Sequence, residues 1–439
     1  MAKTDWKAEA KALKGQLRLL RAAARPAKTA KPVSPLAPAA FPDLPEISGV
    51  EFAACEAGVR YKSRKDVMLI RLAPGTTMAG VFTRSTTRSA CVRDCQGKLA
   101  MKVPADAGAA IIVNSGNSNA FTGKVGDRSV ADITAATAQA LGIPASRVFS
   151  SSTGVIGEPL PHDRIIAALP GLVADLSESA IRMAAQAMMT TDTFPKGACA
   201  TIRGDGGPIR IAGIAKGSGM IAPDMATMLV YIFTDASITA TALQRLLSRN
   251  VGVTFNSITV DSDTSTSDTL LIAATGKSSA APPKGPVLTA FETALTAVMR
   301  DLAHQVVRDG EGATKFVEVR VTGAASDADA AKVAFAIANS PLVKTAVAGQ
   351  DPNWGRIVAA IGKSGAEADR DRLTIRLGDI VVARNGWRDP DYREDDGAAY
   401  MLQPELVIGV DMGLGRGKRS VWTCDLTARY IEINADYRS

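Results

Sequence analysis

The chain has 439 residues, 46% of them apolar and 22% charged, with a formal net charge of +7. That length exceeds what one hydrophobic core serves and the apolar content is enough to bury two, so a globular protein of two lobes is expected. The charge does not amount to a nucleic-acid footprint, because residues 1–46 hold nine Lys or Arg against four acids and the body that follows is nearly neutral.

In that leader, "DWKAEAKALKGQLRLLRAAAR" has helical amphipathicity, whereas "PAKTAKPVSPLAPAAFPDLP" is too rich in Pro and Ala to fold alone. Residues 1–46 therefore read as a solvated, mobile leader. A transit peptide or a surface-binding segment is the second reading, and Asp5 and Glu9 weaken the former. No apolar stretch approaches the roughly 18 residues of a membrane span and the start lacks a signal peptide's apolar block, which points to the cytoplasm. The five cysteines (Cys55, Cys91, Cys95, Cys199, Cys424) show no Cys-x-x-Cys spacing. They read as free thiols, not as a disulfide framework or a zinc site.

From Gly49 the pattern alternates. Strands are expected at 66–72, 79–83 and 109–114, and helices at 127–141, 162–175 and 178–190. Strands near 227–234, 257–261 and 268–275 alternate with helices near 239–252 and 287–305. Helices at 326–339 and 353–362 and β-like segments at 371–384 and 405–434 complete an α/β chain.

Loops combining glycine with hydroxyl and amide residues recur: "NSGNSNAFTG", "SSTGVIG", "TTDTFPKG", "KGSGMIAPDMATM", "DSDTSTSDT", "RDGEGATK", "AGQDPNWGR" and "NADYRS". Each could be a turn; together they suit a small polar substrate held by many hydrogen bonds. No phosphate-binding G-x-x-x-x-G-K-[ST] is present, and "GLGRGK" (413–418) lacks the Rossmann spacing and reads as a solvated hairpin turn. His162 and His304 are the only histidines and both fall in helical patterns, so a Ser-His-Asp or Cys-His arrangement is not expected. A threonine with a free α-amine needs no histidine, since that amine, of pKa about 7.7 to 8.0, can serve as its base. Ala226-Thr227, between a glycine-rich loop and the apolar run "MLVYIF", is where such a threonine could be released. Taken alone, the stretch is an ordinary turn feeding a core strand.

Several motifs, in order, resemble the ArgJ family, the glutamate N-acetyltransferases (ornithine acetyltransferases) of arginine biosynthesis. They are "YKSRKDVMLI", "GVFTRS", "VNSGNSNAFTG", "SSTGVIGEPLP", "MMTTDTFPK", "KGSGMIAPDMATML", "DSDTSTSDTLL", "VRDGEGATKF", "SPLVKTAVAGQDPNWGRI" and "INADYRS". The resemblance implies a layered α/β sandwich, its sheets covered by helices, with a smaller C-terminal α/β lobe. It implies self-cleavage between Ala226 and Thr227 into chains 47–226 (after the leader) and 227–439, with about 227–312 completing the sandwich and about 313–439 forming the lobe. Thr227 is then the nucleophile that moves acetyl from N2-acetylornithine to glutamate. Thr153 and Gly154 form the oxyanion hole, and Thr190, Lys216, Thr227, Glu311, Asn434 and Ser439 bind substrate. Thr190 and Thr191 are separated by spacing alone. No metal or resident cofactor is implied, acetyl-CoA as a second donor stays open, and a heterotetramer of two α and two β chains is suggested.

Asp224 and Ser267 stand where many members of the resembled family have Asn, and Ser439 where threonine is common; none of these departures removes the nucleophile or another proposed catalytic group. Two other readings remain at this stage. One is an N-terminal-nucleophile amidase or aminopeptidase on the same scaffold, with water as acceptor. The other is a binding module that recruits an anionic partner through the basic leader.

Overall fold

The structure, a computed structural model, describes Trp6 and residues 13–16, 32–222 and 228–435. Two compact units divide the chain, Met1–Val33 and Ser34–Ser439. In the first, residues 13–16 are helical. Residues 34–46, which composition grouped with the leader, belong to the second unit. Ser34 Oγ donates to the Arg308 carbonyl at 2.6 Å, and Leu36 is buried.

Two sheets form the centre of the larger unit. The first has the order β1 (Val50–Cys55), β2 (Val67–Leu72), β4 (Ala109–Asn117), β5 (Val148–Val155). The second has the order β3 (Thr77–Phe82), β9 (Thr269–Ala274), β8 (Leu229–Thr234), β7 (Gly207–Lys216), β6 (Lys196–Gly204). Strand β8 is buried on both faces, and the two-residue period of a strand sends its side chains to opposite sides. Tyr231 and Phe233 join Phe52, Ile70 and Ile111 between the sheets, where the Phe52 and Phe233 rings meet edge to face at 5.2 Å. Val230 and Ile232 face the other way, onto the helical layer containing Leu243, Leu247, Phe291 and Leu302.

Helix α1 (Ala90–Leu99) is capped by the Ser89 hydroxyl, and its buried residues include Cys91 and Cys95. Helices α2 (Gly123–Leu141) and α3 (His162–Ala174) cover the outer face of the first sheet through Ile133 and Leu169. After α4 (Ile181–Ala187), helices α5 (Ala240–Val251) and α6 (Gly285–Arg308) cover the second. The layers thus run helix, sheet, sheet, helix.

The remainder folds around a third sheet with the order β13 (Trp387–Arg388), β12 (Ile380–Arg384), β11 (Thr374–Leu377), β14 (Glu405–Asp411), β10 (Phe316–Ala324), β15 (Gly417–Cys424). Its core includes Val319, Val321, Val333, Ile337 and Ile357, the last three from α7 (Asp327–Ala338) and α9 (Trp354–Gly362), with α8 (Pro341–Ala348) between them. Helices α10 (Glu394–Met401) and α11 (Ala428–Ala435) complete it.

Several local expectations change. Residues 257–261 form no strand, because the Thr254 and Ser257 hydroxyls bond back to the Asn250 and Gly252 carbonyls and close a turn. "GLGRGK" is not a hairpin turn either: β14 and β15 lie on opposite sides of β10, so the segment crosses that strand's end. The β-like stretch 405–434 finishes as helix α11, none of whose residues is buried. Hairpin β6–β7, strand β1 and helix α1 were not anticipated. No described helix is long and apolar enough to cross a membrane, and all five cysteines are free.

His304 packs against Phe316 and Trp422 at ring distances of 5.2 and 4.5 Å. Burial, with Arg308 and Arg300 adding to it, lowers its pKa to about 4 from 6.5. The fold therefore prefers the neutral ring, whose contribution is fully present above pH 6.5 and is lost as pH falls towards 4, at most about 3 kcal/mol. Urea midpoints measured from pH 7 to 4 should fall less steeply for His304→Leu than for the parent chain; equal slopes would contradict this.

Candidate active site

Residues from seven separated segments line one cavity of about 330 Å³: Ser118, Thr153 and Gly154, Thr190 and Thr191, Lys216 with Gly219 and Met220, Ser265 to Ser267, Glu311, and Asn434. The sequence-derived residues Thr153, Gly154, Thr190, Lys216, Glu311 and Asn434 are all among them. Ala226, Thr227 and Ser439 lie outside the described residues. Neither histidine lines the cavity. Among the described residues, no group of three or more His, Cys, Asp or Glu could hold a metal ion.

The Thr153-Gly154 corner exists because two backbones touch. Strands β4 and β5 run parallel, and their register slips at Gly116/Asn117, opposite Gly154. Gly154 has φ +135°, and a Cβ there would stand 2.3 Å from the Gly116 carbonyl carbon and 2.6 Å from the Asn117 nitrogen. Only glycine permits that approach and that dihedral. Thr153 beside it is buried.

Opposite, Glu311 and Asn434 form a pair in which Asn434 Nδ2 donates to Glu311 Oε2 at 2.6 Å. The Glu311 N–H donates to the Ser218 carbonyl at 2.9 Å, and a Cβ on Gly219 would lie 2.4 Å from the Glu311 carboxyl carbon. The loop after β7 thus wraps this carboxylate closely. Asp261 holds the same loop, accepting the Met220 and Ile221 N–H groups at 2.6 and 2.9 Å and the Tyr430 hydroxyl at 3.2 Å. The hydroxyls of Thr191 and Ser218 bond to each other at 2.7 Å.

Lys216 ends β7 and is only 4% exposed, though it lines the cavity. Burial pushes its amine below the ordinary lysine value, while Asp192 pulls the other way. A buried cation bordering a cavity is suited to an anionic solute, which would supply the partner that desolvation makes costly to lack.

Two further features escaped the sequence reading. Lys196 Nζ lies between Asp192 Oδ1 at 2.7 Å and Asp309 Oδ2 at 2.6 Å, all three side chains being fully buried. Burial works against the Lys196 charge, yet the two carboxylates outweigh it and raise its pKa. The i,i+4 spacing of Asp192 and Lys196 was a visible signal, but nothing in sequence ties them to Asp309. The second feature is Asp268, whose Oδ1 accepts the N–H of Met228, the residue after Thr227, at 2.8 Å. Burial raises its pKa well above the carboxylate value, although the Met228 N–H and Lys216 favour the anion.

Gly154 and Gly157 both have positive φ, but a Cβ at Gly157 would meet nothing within 4 Å. Gly154→Ala should therefore destabilise the protein by about 1–3 kcal/mol more than Gly157→Ala, the typical cost of overpacking. Urea denaturation of the two variants measures the difference, and equal losses would refute the crowding at the β4–β5 corner.

The family model of the ArgJ family matches residues 51–439. A curated relative from Ruegeria pomeroyi, "Arginine biosynthesis bifunctional protein ArgJ", is 66% identical over 399 residues, which is 91% of this chain and 97% of the relative. Two solved structures are also similar. The arginine biosynthesis bifunctional protein argJ of Bacillus halodurans is 43% identical, covering 47% of this chain and 97% of that one at a TM-score of 0.45. The ornithine acetyltransferase of Mycobacterium tuberculosis, solved in complex with ornithine, is 30% identical, covering 42% of this chain and 94% of that one at a TM-score of 0.36. A family model reaching from residue 51 to the last residue, and a relative sharing 66% of aligned positions, give one assignment: the chain belongs to the ArgJ family.

Proposed function

We propose that this chain transfers an acetyl group from N2-acetylornithine to glutamate in arginine biosynthesis, through Thr227 released by self-cleavage. The observation that carries the reading is the convergence of Thr153, Gly154, Lys216, Glu311 and Asn434, far apart in sequence, on one cavity. Family membership supports the substrates. In the precursor the Thr227 hydroxyl attacks the Ala226 carbonyl carbon, the Ala226-Thr227 C–N bond breaks as the nitrogen takes up a proton, and water hydrolyses the resulting ester. Chains 1–226 and 227–439 result.

In the cleaved enzyme the α-amine of Thr227 takes the proton of its own hydroxyl as that oxygen attacks the acetyl carbonyl. Negative charge gathers on the carbonyl oxygen, and the Thr153 hydroxyl and Gly154 N–H are the donors that meet it. Removing one such donor typically costs about 100- to 1000-fold in rate. Ornithine leaves with the proton, and glutamate's amine then takes the acetyl group from the threonine ester. Lys216 holds the substrate carboxylate, and Glu311, oriented by Asn434, receives the cationic amine; Thr190 and Ser439 complete the substrate contacts. The relative's name includes the word "bifunctional", and we propose acetyl-CoA as a second donor to the same threonine. We place the reaction in the cytoplasm and the working enzyme in a heterotetramer of two α and two β chains.

Denaturing intact-mass analysis should resolve the parent chain into pieces ending at Ala226 and beginning at Thr227, with Thr227→Ala uncleaved. A parent chain that stays whole would rule out the mechanism. With the cleaved enzyme, N2-acetylornithine and glutamate should give N-acetylglutamate in step with ornithine. Free acetate in its place would favour the amidase reading.

A further inference from the structure

Asp192 bonds to three segments at once. Its Oδ1 accepts the Lys196 ammonium at 2.7 Å and the Gly217 N–H at 2.8 Å, while Oδ2 accepts the Thr190 N–H at 2.9 Å. Gly217 directly follows Lys216, and Thr190 and Lys216 both line the cavity. One fully buried carboxylate therefore fixes the backbone beside the cavity's cation and part of the wall next to it.

The charged groups that act on the Lys216 ammonium are Asp192, Lys196, Glu311 and Asp268. Burial is the largest influence and acts against the charge. Asp192 is the largest in its favour, followed by Lys196 against it. For Asp192 itself, burial opposes the anion, but Lys196 and Lys216 outweigh it and hold its pKa below the carboxylate range. Asp192 is thus an anion ion-paired with Lys196 at 2.7 Å and hydrogen-bonded to the Gly217 N–H at 2.8 Å, with Lys216 acting on it through space from the cavity side.

We propose that Asp192 is a positioning residue that keeps Lys216 cationic and in place, so that the affinity for a substrate carboxylate is set by how Asp192 is shared between Lys216 and Lys196. This rests on the reading of Lys216 as the group that binds that carboxylate. No part of the reaction is assigned to Asp192 itself; it acts through Lys216 by charge and through Gly217 by its hydrogen bond.

The sharing gives variants of opposite sign. Asp192→Asn keeps a hydrogen-bond acceptor but removes the charge, so Lys216 should lose its proton at lower pH. The alkaline limb of kcat/KM for N2-acetylornithine should move down by about one pH unit, the size expected for loss of a close opposite charge. Above that limb KM should rise about tenfold, while kcat changes less. The electroneutral double variant Lys196→Met/Asp309→Asn removes the competing cation and leaves Asp192 to Lys216 alone. Its alkaline limb should move up.

A purely structural role would weaken both variants without moving their limbs in opposite directions. Limbs that stay in place, or move the same way, overturn the proposal. If Asp192→Asn does not fold, the double variant decides by the direction of its limb. Lys216→Met tests the underlying reading separately. A raised KM at all pH values together with unmoved limbs in the other variants removes only the role of Asp192. An unchanged KM for Lys216→Met removes the carboxylate site itself.

Discussion

The dry layer between the two central sheets is the constraint on which everything else rests. Phe52, Ile70, Ile111, Ile214, Tyr231, Phe233 and Leu271 fill it from both sides, leaving no room there for a polar solute. Helices seal the outer faces, so polar chemistry is displaced to the strand ends, where β5 and β7 deliver Thr153-Gly154 and Lys216. The apolar core thereby determines where the cavity can form, and the loops determine what it can hold.

Moving polar groups to the strand ends still leaves charges out of water. Asp192, Lys196 and Asp309 are tolerated in the interior because each carboxylate meets an ammonium and at least one backbone N–H. A buried ion pair seldom adds much net stability, since desolvation consumes most of the attraction. Its gain here is geometric: one cluster ties the turn before β6, the exit of β7 and the end of α6 into a fixed frame. The Thr153-Gly154 corner is fixed differently, by backbone contact with Gly116 that any side chain would break.

How much the sequence revealed follows the range of the interactions. Strand β8 was visible as a continuous run of apolar, β-branched and aromatic residues, and helix α6 because burial on one face writes a local period into the chain. Helix α1 was hidden: its buried residues are Ala90, Cys91, Val92, Cys95 and Lys98, whose ammonium reaches the Val148 carbonyl at 2.8 Å, so one strongly apolar residue, Val92, stands among small residues, thiols and a charge. The cavity-lining residues were legible mainly through motif resemblance, which places Glu311 and Asn434 beside the substrate. That Asn434 donates to Glu311 across 123 positions is a tertiary fact. Asp192 was inside a quoted motif and still unread, because its meaning depends on Asp309, 117 residues away in the chain.

Helix α11 stands apart from this rigid frame. None of its residues is buried; its side chains are attached by polar contacts, Tyr430 to Asp261 and Asn434 to Glu311, and its first turn lies against the Gly312 backbone. Such a segment belongs to the low end of the local-opening free energies in a protein, where backbone amides exchange with solvent long before the sheets do. The Asn434 side of the cavity is therefore held by partly buried side-chain hydrogen bonds, while the Thr153-Gly154 corner is backbone locked against backbone. Local opening of α11 requires no loosening of the apolar layers beneath.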